Sequence, residues 1–226
     1  MNDFSPEPTT LLFDMDNTLF DLVGAQIASC REVARFLGHD DGDDLFGYFL
    51  RPARGFESPE NIRDYMRDRH HDTVGTYRMA CRIYEQVKME YITPYEGVPE
   101  TLGRLSASGY RMAIVTDAPA NDAALRLEKI GLLSFFPVLV AHEMTGRKKP
   151  ALEPFLLALE MMDAVPNETV LIGDSPRRDI GPGHALGMTT VYARYGDRFS
   201  NDRIHVGADF TIDRMDELSR ILAGSR

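Results

Sequence analysis

The sequence predicts an α/β fold: a doubly wound parallel sheet flanked by helices, interrupted near its start by an inserted α-helical domain. Three observations predict it. Short apolar runs that read as buried strands recur along the chain, and from residue 98 onward strands and helical patterns alternate. The first such run lies at residues 11–13, yet the next comes only in the 110s. The stretch between them carries helix-like patterns alone, so it reads as an insertion into the sheet domain.

The opening strand, Leu11-Leu12-Phe13, is apolar at every position, as expected where both faces are covered. Helical patterns follow at residues 23–37, 45–50, 59–69 and 73–89. They are separated by an acidic segment at residues 38–44, expected to be a solvated turn, and by Arg51-Pro52-Ala53-Arg54-Gly55-Phe56. Thr93-Pro94-Tyr95-Glu96-Gly97 returns the chain to the sheet. From there helix 98–108 precedes strand 111–116, helix 120–130 precedes strand 138–141, and helix 153–162 precedes strand 170–172. A short helix ending near Gly187 leads to strand 189–193, and strand 209–212 precedes a terminal helix. Helical crossovers of this kind join parallel strands. The expected division is residues 1–21 and 92–226 for the sheet domain and 22–91 for the insertion.

Composition excludes several classes. Hydrophobic content of 43% and charged content of 27% are those of an ordinary globular protein. A net charge of −10 argues against non-specific nucleic-acid binding, which needs a basic stripe. Cys30 and Cys81 form no CxxC pair and no metal spacing, so reduced thiols are expected. The N-terminus lacks the apolar core of a signal peptide, and no later run is long enough to span a bilayer. A cytoplasmic protein with no membrane partner is expected.

Four segments carry the chemistry. In Asp14-Met15-Asp16-Asn17-Thr18 two carboxylates follow the first strand at positions i and i+2, which point the same way in an extended chain. Such a pair is tolerable if a cation lies between the two or one is kept protonated, and it could equally be an acidic turn before a helix. The run Met112-Ala113-Ile114-Val115-Thr116 ends in a hydroxyl, followed by Asp117 and a turn. Thr116 can donate to a phosphate oxygen, with backbone N–H groups at Asp117 and beyond adding donors, or it can serve as a local cap. In Gly146-Arg147-Lys148-Lys149-Pro150, Lys149 is restrained by the proline that follows it, although three cations in a row can also be a solvated loop. Finally, Val170-Leu171-Ile172-Gly173-Asp174 ends a strand on a hard oxygen ligand, with Asp179 five residues on. A Mg²⁺ site uses one or two such carboxylates; the alternatives are a helix N-cap for Asp174 and a first-turn acid for Asp179.

Taken together and in this order, the four segments resemble the haloacid dehalogenase (HAD) superfamily. Its pattern is DxDx[TV], an apolar run ending in Ser or Thr, Lys-Pro, and GDxxxxD, and no element is missing here. The resemblance spans essentially the whole chain. It implies a Rossmann-like core with a helical cap of the C1 type, and Mg²⁺-dependent hydrolysis of a small phosphorylated metabolite through an aspartyl-phosphate. Carried over residue by residue, it implies Asp14 as nucleophile and Asp16 as general acid and then general base. Thr116 and Lys149 would bind the phosphoryl group. Asp14, the Asp16 carbonyl and Asp174 would hold the metal, with Asp179 as a further or outer ligand. Selectivity would come from the cap, where Arg51, Arg54 and Phe56 are candidates.

Two other readings share the fold. A 2-haloacid dehalogenase uses the same aspartate, but halide departs without a proton, so Asp16 and a full GDxxxxD set would be surplus. A catalytically silent regulatory module would not need complete motifs. His70 and His71 suggest a metal pair, but neighbours on a helix face different directions.

Overall fold

The computed structural model describes residues 7–199 and 207–223. In chain order it holds β1 (Thr10–Phe13), α1 (Leu22–Phe36), α2 (Gly42–Phe49), α3 (Glu60–Asp68), α4 (Val74–Tyr91), α5 (Val98–Ala107), β2 (Arg111–Val115) and α6 (Ala120–Lys129). There follow β3 (Val138–Val140), α7 (His142–Thr145), α8 (Glu153–Met161), β4 (Thr169–Gly173), α9 (Gly181–Leu186), β5 (Thr189–Ala193), β6 (Phe210–Ile212) and α10 (Glu217–Ala223). Two compact units result: one runs up to Asp21 and resumes at Thr93, and the other is Leu22–Ile92. No helix among the described residues is long and apolar enough to cross a membrane.

The sheet unit is built on six parallel strands in the order β3-β2-β1-β4-β5-β6. β1 is central because its residues are buried throughout and apolar after Thr10, which lets sheet neighbours and helices cover it on every side. Phe13 lies level with Ile114 on β2 and with Ile172 on β4. On one face Leu12, Ala113, Val115 and Leu171 pack with Phe155, Ala158 and Leu159 of α8. Gly183 of α9 lets that helix lie close on the sheet, since a Cβ there would come within 2.5 Å of Thr190. Chain order reverses on either side of β1, so the carboxyl ends of β2, β1 and β4 open the crevice where such sheets place ligands.

The points where the chain leaves and re-enters this unit are tied together: Phe20 bridges Pro94, and Tyr95 N donates to Leu19 O at 3.0 Å. The helical unit has its own core, in which Cys30, Val33, Leu45, Phe49, Ile62, Tyr65 and Tyr84 are buried. Phe49 and Tyr84 stack at 5.0 Å. One expectation fails here. The acidic segment 38–44 is not wholly a turn, because Gly42, Asp43 and Asp44 form the first turn of α2. Acids suit the positive end of a helix, and Gly42 is needed because a Cβ would meet the Arg31 backbone at 2.5 Å. The four-residue α7 was also not anticipated; it is too short to show a period.

Candidate active site

Asp14 follows β1 directly, and its N–H still bonds Ile172 O on β4 at 2.8 Å. The chain then turns sharply. Asn17 takes the left-handed conformation at φ 64°, which Asn tolerates, and Thr18 N and Leu19 N both bond Met15 O. This loop brings the Thr18 hydroxyl back to donate to Asp14 Oδ2 at 2.9 Å. Lys149 Nζ donates to the other oxygen, Oδ1, at 2.5 Å. Burial alone would raise the Asp14 pKa, but Lys149, Arg178 and the two hydrogen bonds outweigh it and hold the carboxyl below its ordinary range. Asp14 is thus a buried, ionised carboxylate fixed at both oxygens.

Lys149 is itself triply held. Its ammonium also donates to Asp179 Oδ1 at 2.7 Å, and its backbone N–H donates to Asp117 Oδ1 at 2.8 Å. Burial would lower its pKa, yet Asp14 and Asp179 reverse that and raise it, so it stays cationic. The Asp117 carboxylate is occupied with Lys149 and with Arg178, 3.5 Å away, and since a carboxylate only accepts, its backbone N–H is the group it could donate to a phosphate. Thr116, 1% exposed at the end of β2, accepts from Ala118 N at 3.1 Å and has one hydroxyl proton to give.

Beyond β4 the chain coils through a π-type turn, Pro176–Ile180, which returns Asp179 against Gly173. A Cβ on Gly173 would stand 2.5 Å from the Asp179 carboxyl carbon, so the GDxxxxD spacing requires its glycine here. Asp179 Oδ2 accepts from Ser175 N at 3.1 Å, so both Asp179 oxygens are used. Oxygens of Asp14, Asp174 and Asp179 all lie within 4.8 Å of one another. Asp174 Oδ1 is buried and accepts no hydrogen bond among the described residues, and the Arg178 guanidinium is 3.7 Å from it. Burial, then Asp14 and Asp179, push the Asp174 carboxyl well above its ordinary range. Asp179 is raised too, by burial first and by Asp14, against the pull of Lys149.

A buried acceptor without a donor is costly, and three carboxylates this close need more positive charge than Lys149 and Arg178 bring. An all-oxygen set with an orphaned oxygen fits a hard divalent cation.

The structure brings Asp14, Lys149, Asp174, Asp179 and Asp117 into one connected group, with Thr116 one strand over. Asp16 stands apart from the metal-type cluster: its Oδ1 accepts from Arg126 Nη1 at 2.8 Å. Arg51, Arg54 and Phe56 belong to the helical unit. There Arg54 donates to both oxygens of Asp64 at 3.0 and 3.2 Å, Arg51 lies over the Tyr48 ring at 3.4 Å, and the carbonyl of the half-buried Phe56 accepts from Gln26 Nε2.

Sequence reading missed Arg126, Arg178 and Gly196. Arg126 carried a signal, since it falls on the apolar stripe of α6 with Ala123 and Leu127, where an unpaired cation would be costly. Gly196 follows β5 and touches the loop after Asp14 so closely that a Cβ would lie 1.7 Å from Asn17 O and 3.1 Å from Asp174 Cβ. Tyr195 braces the same loop by donating to Thr18 O at 2.7 Å.

A buried aspartate at the sheet's switch point, a lysine on it, and a metal-type acid cluster beside it are the features of a class of phosphate-handling α/β enzymes. The family profile of haloacid dehalogenase-like hydrolases matches residues 11–193, and the chain belongs to that family. It is similar to the N-acetylmuramic acid 6-phosphate phosphatase of Pseudomonas aeruginosa, 30% identical over 226 residues that cover 94% of this chain and 93% of that one. It is similar also to the ribulose-1,5-bisphosphate 5-phosphatase of Halopiger xanaduensis, 27% identical over 248 residues covering 95% and 99%. In fold it is similar to the Bacillus subtilis protein YfnB, solved bound to magnesium, with a TM-score of 0.78, 21% identity, and coverage of 96% of this chain and 99% of that one. The protein is a hydrolase of the phosphatase type.

Proposed function

We propose that the protein is a Mg²⁺-dependent phosphomonoesterase that hydrolyses a small phosphorylated metabolite through an aspartyl-phosphate on Asp14. The observation that carries this reading is Asp14 itself, ionised, buried and anchored through one hydrogen bond at each oxygen. Each oxygen keeps a further lone pair, and a carboxylate already fixed in place loses little freedom in reaching phosphorus. The relatives named above act on N-acetylmuramic acid 6-phosphate and ribulose-1,5-bisphosphate, which supports a small phosphorylated substrate.

In the first step an Asp14 oxygen bonds to phosphorus while the bond to the leaving oxygen breaks, and Asp16 gives that oxygen its proton. In the second, water attacks phosphorus, Asp16 takes a proton from it, and the bond between phosphorus and Asp14 breaks to release phosphate. Asp16 must leave Arg126 to serve as acid, and it returns to the guanidinium once it has lost its proton. Lys149, Thr116 and the Asp117 N–H donate to phosphoryl oxygens. Asp14, Asp174 and the Asp16 carbonyl would hold Mg²⁺, while Asp179, with both oxygens engaged, positions Lys149. When bound, the ion supplies positive charge that shields the attacking carboxylate from the phosphoryl oxygens. The overall charge of −10 repels an anionic substrate only weakly at this range, because surface acids more than roughly 8 Å away are screened at physiological salt.

Residues 22–92 serve as the selectivity cap in this reading. Its candidate residues are Arg51, Arg54 and Phe56, of which Arg54 is tied to Asp64. Hydrolysis of p-nitrophenyl phosphate with Mg²⁺, and its loss in excess chelator, tests the proposal. Undiminished hydrolysis in chelator would remove the metal. Halide release from a 2-haloacid without phosphate ester cleavage would replace the reaction altogether.

A further inference from the structure

Arg178 is the one cation of the site whose side chain makes no hydrogen bond among the described residues. Its guanidinium stands 3.5 Å from Asp117 Oδ2 and 3.7 Å from Asp174 Oδ1, both beyond hydrogen-bond length. Its backbone is fixed, with N–H bonded to Ser175 Oγ at 3.3 Å inside the Pro176–Ile180 turn. Asp117 follows β2 and Asp174 follows β4, and in the sheet β1 lies between those two strands. A side chain that reaches both acids therefore spans the carboxyl end of β1, where Asp14 sits.

Lys149 cannot serve an incoming phosphate alone. Two of its three ammonium protons are committed to Asp14 and Asp179 at 2.5 and 2.7 Å. A phosphate monoester brings up to two negative charges into a group that already holds Asp14, Asp174 and Asp179. Arg178 offers five donors in a planar fork that matches two oxygens of a phosphate, and its side chain is 30% exposed.

We infer that Arg178 is a further phosphoryl-binding residue, whose guanidinium takes two non-bridging oxygens of the group bound at Asp14. This rests on the phosphatase reading and adds a residue to it. Arg178 thus exchanges the loose ion pairs with Asp117 and Asp174 for a bidentate contact with substrate. Because it grips the phosphoryl group, its effect is the same for every leaving group.

The test is binding of inorganic phosphate to the full chain at saturating Mg²⁺, by calorimetry, for the wild type, Arg178→Gln and Arg178→Lys, with Mg²⁺ affinity measured separately in the absence of phosphate. Loss of a charge-assisted contact predicts weakening of phosphate binding by about 10- to 100-fold in Arg178→Gln. Arg178→Lys should recover only part of it, since a point charge lacks the fork. Mg²⁺ affinity should be unchanged or higher, because a cation beside Asp174 has been removed. KM should rise for all phosphate esters by a similar factor. Wild-type phosphate affinity in Arg178→Gln overturns the inference, as does a loss of Mg²⁺ affinity that accounts for the whole phosphate defect. If Arg178→Gln does not fold, Arg178→Lys decides in the same way: full phosphate affinity there overturns the inference. A wild-type protein that binds phosphate and hydrolyses aryl phosphates while the variants behave identically sinks this inference alone. A wild-type protein that does neither sinks the phosphatase reading and this inference with it.

Discussion

In the sheet unit Asp14, Arg126, Lys149, Asp174 and Asp179 are each at most 4% exposed, whereas in the helical unit Arg31, Arg35 and Arg67 pair with Asp43, Glu32 and Asp72 while remaining more than half exposed. Holding such deeply buried groups in their charged form costs several kcal/mol each in desolvation, on the order-of-magnitude accounting for real proteins, so a fold that keeps ionisable groups there does so for a reason other than stability. Exposed pairs cost little and contribute little. Lys88 is an exception within the helical unit: it is 3% exposed and lies 2.8 Å from Glu85 and 3.7 Å from Glu57. The contrast is between a unit that holds a cluster of buried charged groups and one built on an aromatic and aliphatic core with a polar surface.

The sharpest way to break that contrast is Asp14→Asn. On the proposed mechanism the amide keeps the shape and removes the nucleophile, so kcat should fall on the order of 10⁴–10⁶-fold, the range seen when a nucleophile or its partner is removed from an acyl-transfer site. Retention of a tenth of wild-type kcat would take Asp14 out of its role.

Next comes stability. Lys149→Met leaves Asp14 and Asp179 facing one another without their shared cation, and removing one partner of a buried pair costs about 3–5 kcal/mol. Urea denaturation in chelator should show that loss, and Mg²⁺ should restore part of it. Arg54→Ala, which breaks a bidentate but exposed pair, should shift the midpoint slightly and only at low salt. Equal shifts from the two variants would mean that burial does not separate the units as argued.

A smaller effect follows from the raised carboxyls. A group whose folded pKa is above its unfolded value binds more protons when folded, so its stability penalty is present at neutral pH and is relieved as pH falls toward the ordinary 3.8. Asp14 is lowered, so its stabilising contribution is lost only as pH falls below the ordinary value. In chelator the melting temperature should therefore rise on mild acidification, and Asp174→Asn should flatten that rise. With Mg²⁺ present the trend should reverse, since protons then compete with the ion for Asp174. Identical pH profiles for wild type and Asp174→Asn in chelator would show that the orphaned Asp174 oxygen carries no such penalty.

The strands and three of the four motif segments were legible because each strand is a short apolar run and each of those motifs closes one with a residue that does not belong in a core; Lys149 instead lies between α7 and α8 and was legible through its proline. Phe13 before Asp14, Val115 before Thr116 and Ile172 before Gly173-Asp174 all follow this rule. What stayed hidden depends on long side chains and on distance along the chain. Arg126 meets Asp16 across 110 positions. Arg178 differs from its neighbour Arg177 only through the π-type turn, which no local pattern announces. The share of Asp117 in holding Lys149 and Arg178 required both loops to be in place first. In the helical unit the acids of α2 were misread because a run of Asp suits a turn and a helix start equally well.

The central claim is that phosphate is transferred to Asp14 before water takes it. Asp16→Asn, which should slow hydrolysis of the intermediate by about 10²–10⁴-fold, is the variant in which to see it. With p-nitrophenyl phosphate the leaving group needs no proton, so formation of the intermediate should be largely spared. Acid quench of that variant during turnover with Mg²⁺, followed by peptide mass spectrometry, should find one phosphoryl group on the peptide that contains Asp14, at close to one per chain. An unmodified Asp14 peptide, recovered while nitrophenol and phosphate are released together, would mean that water attacks the substrate directly and would contradict the account.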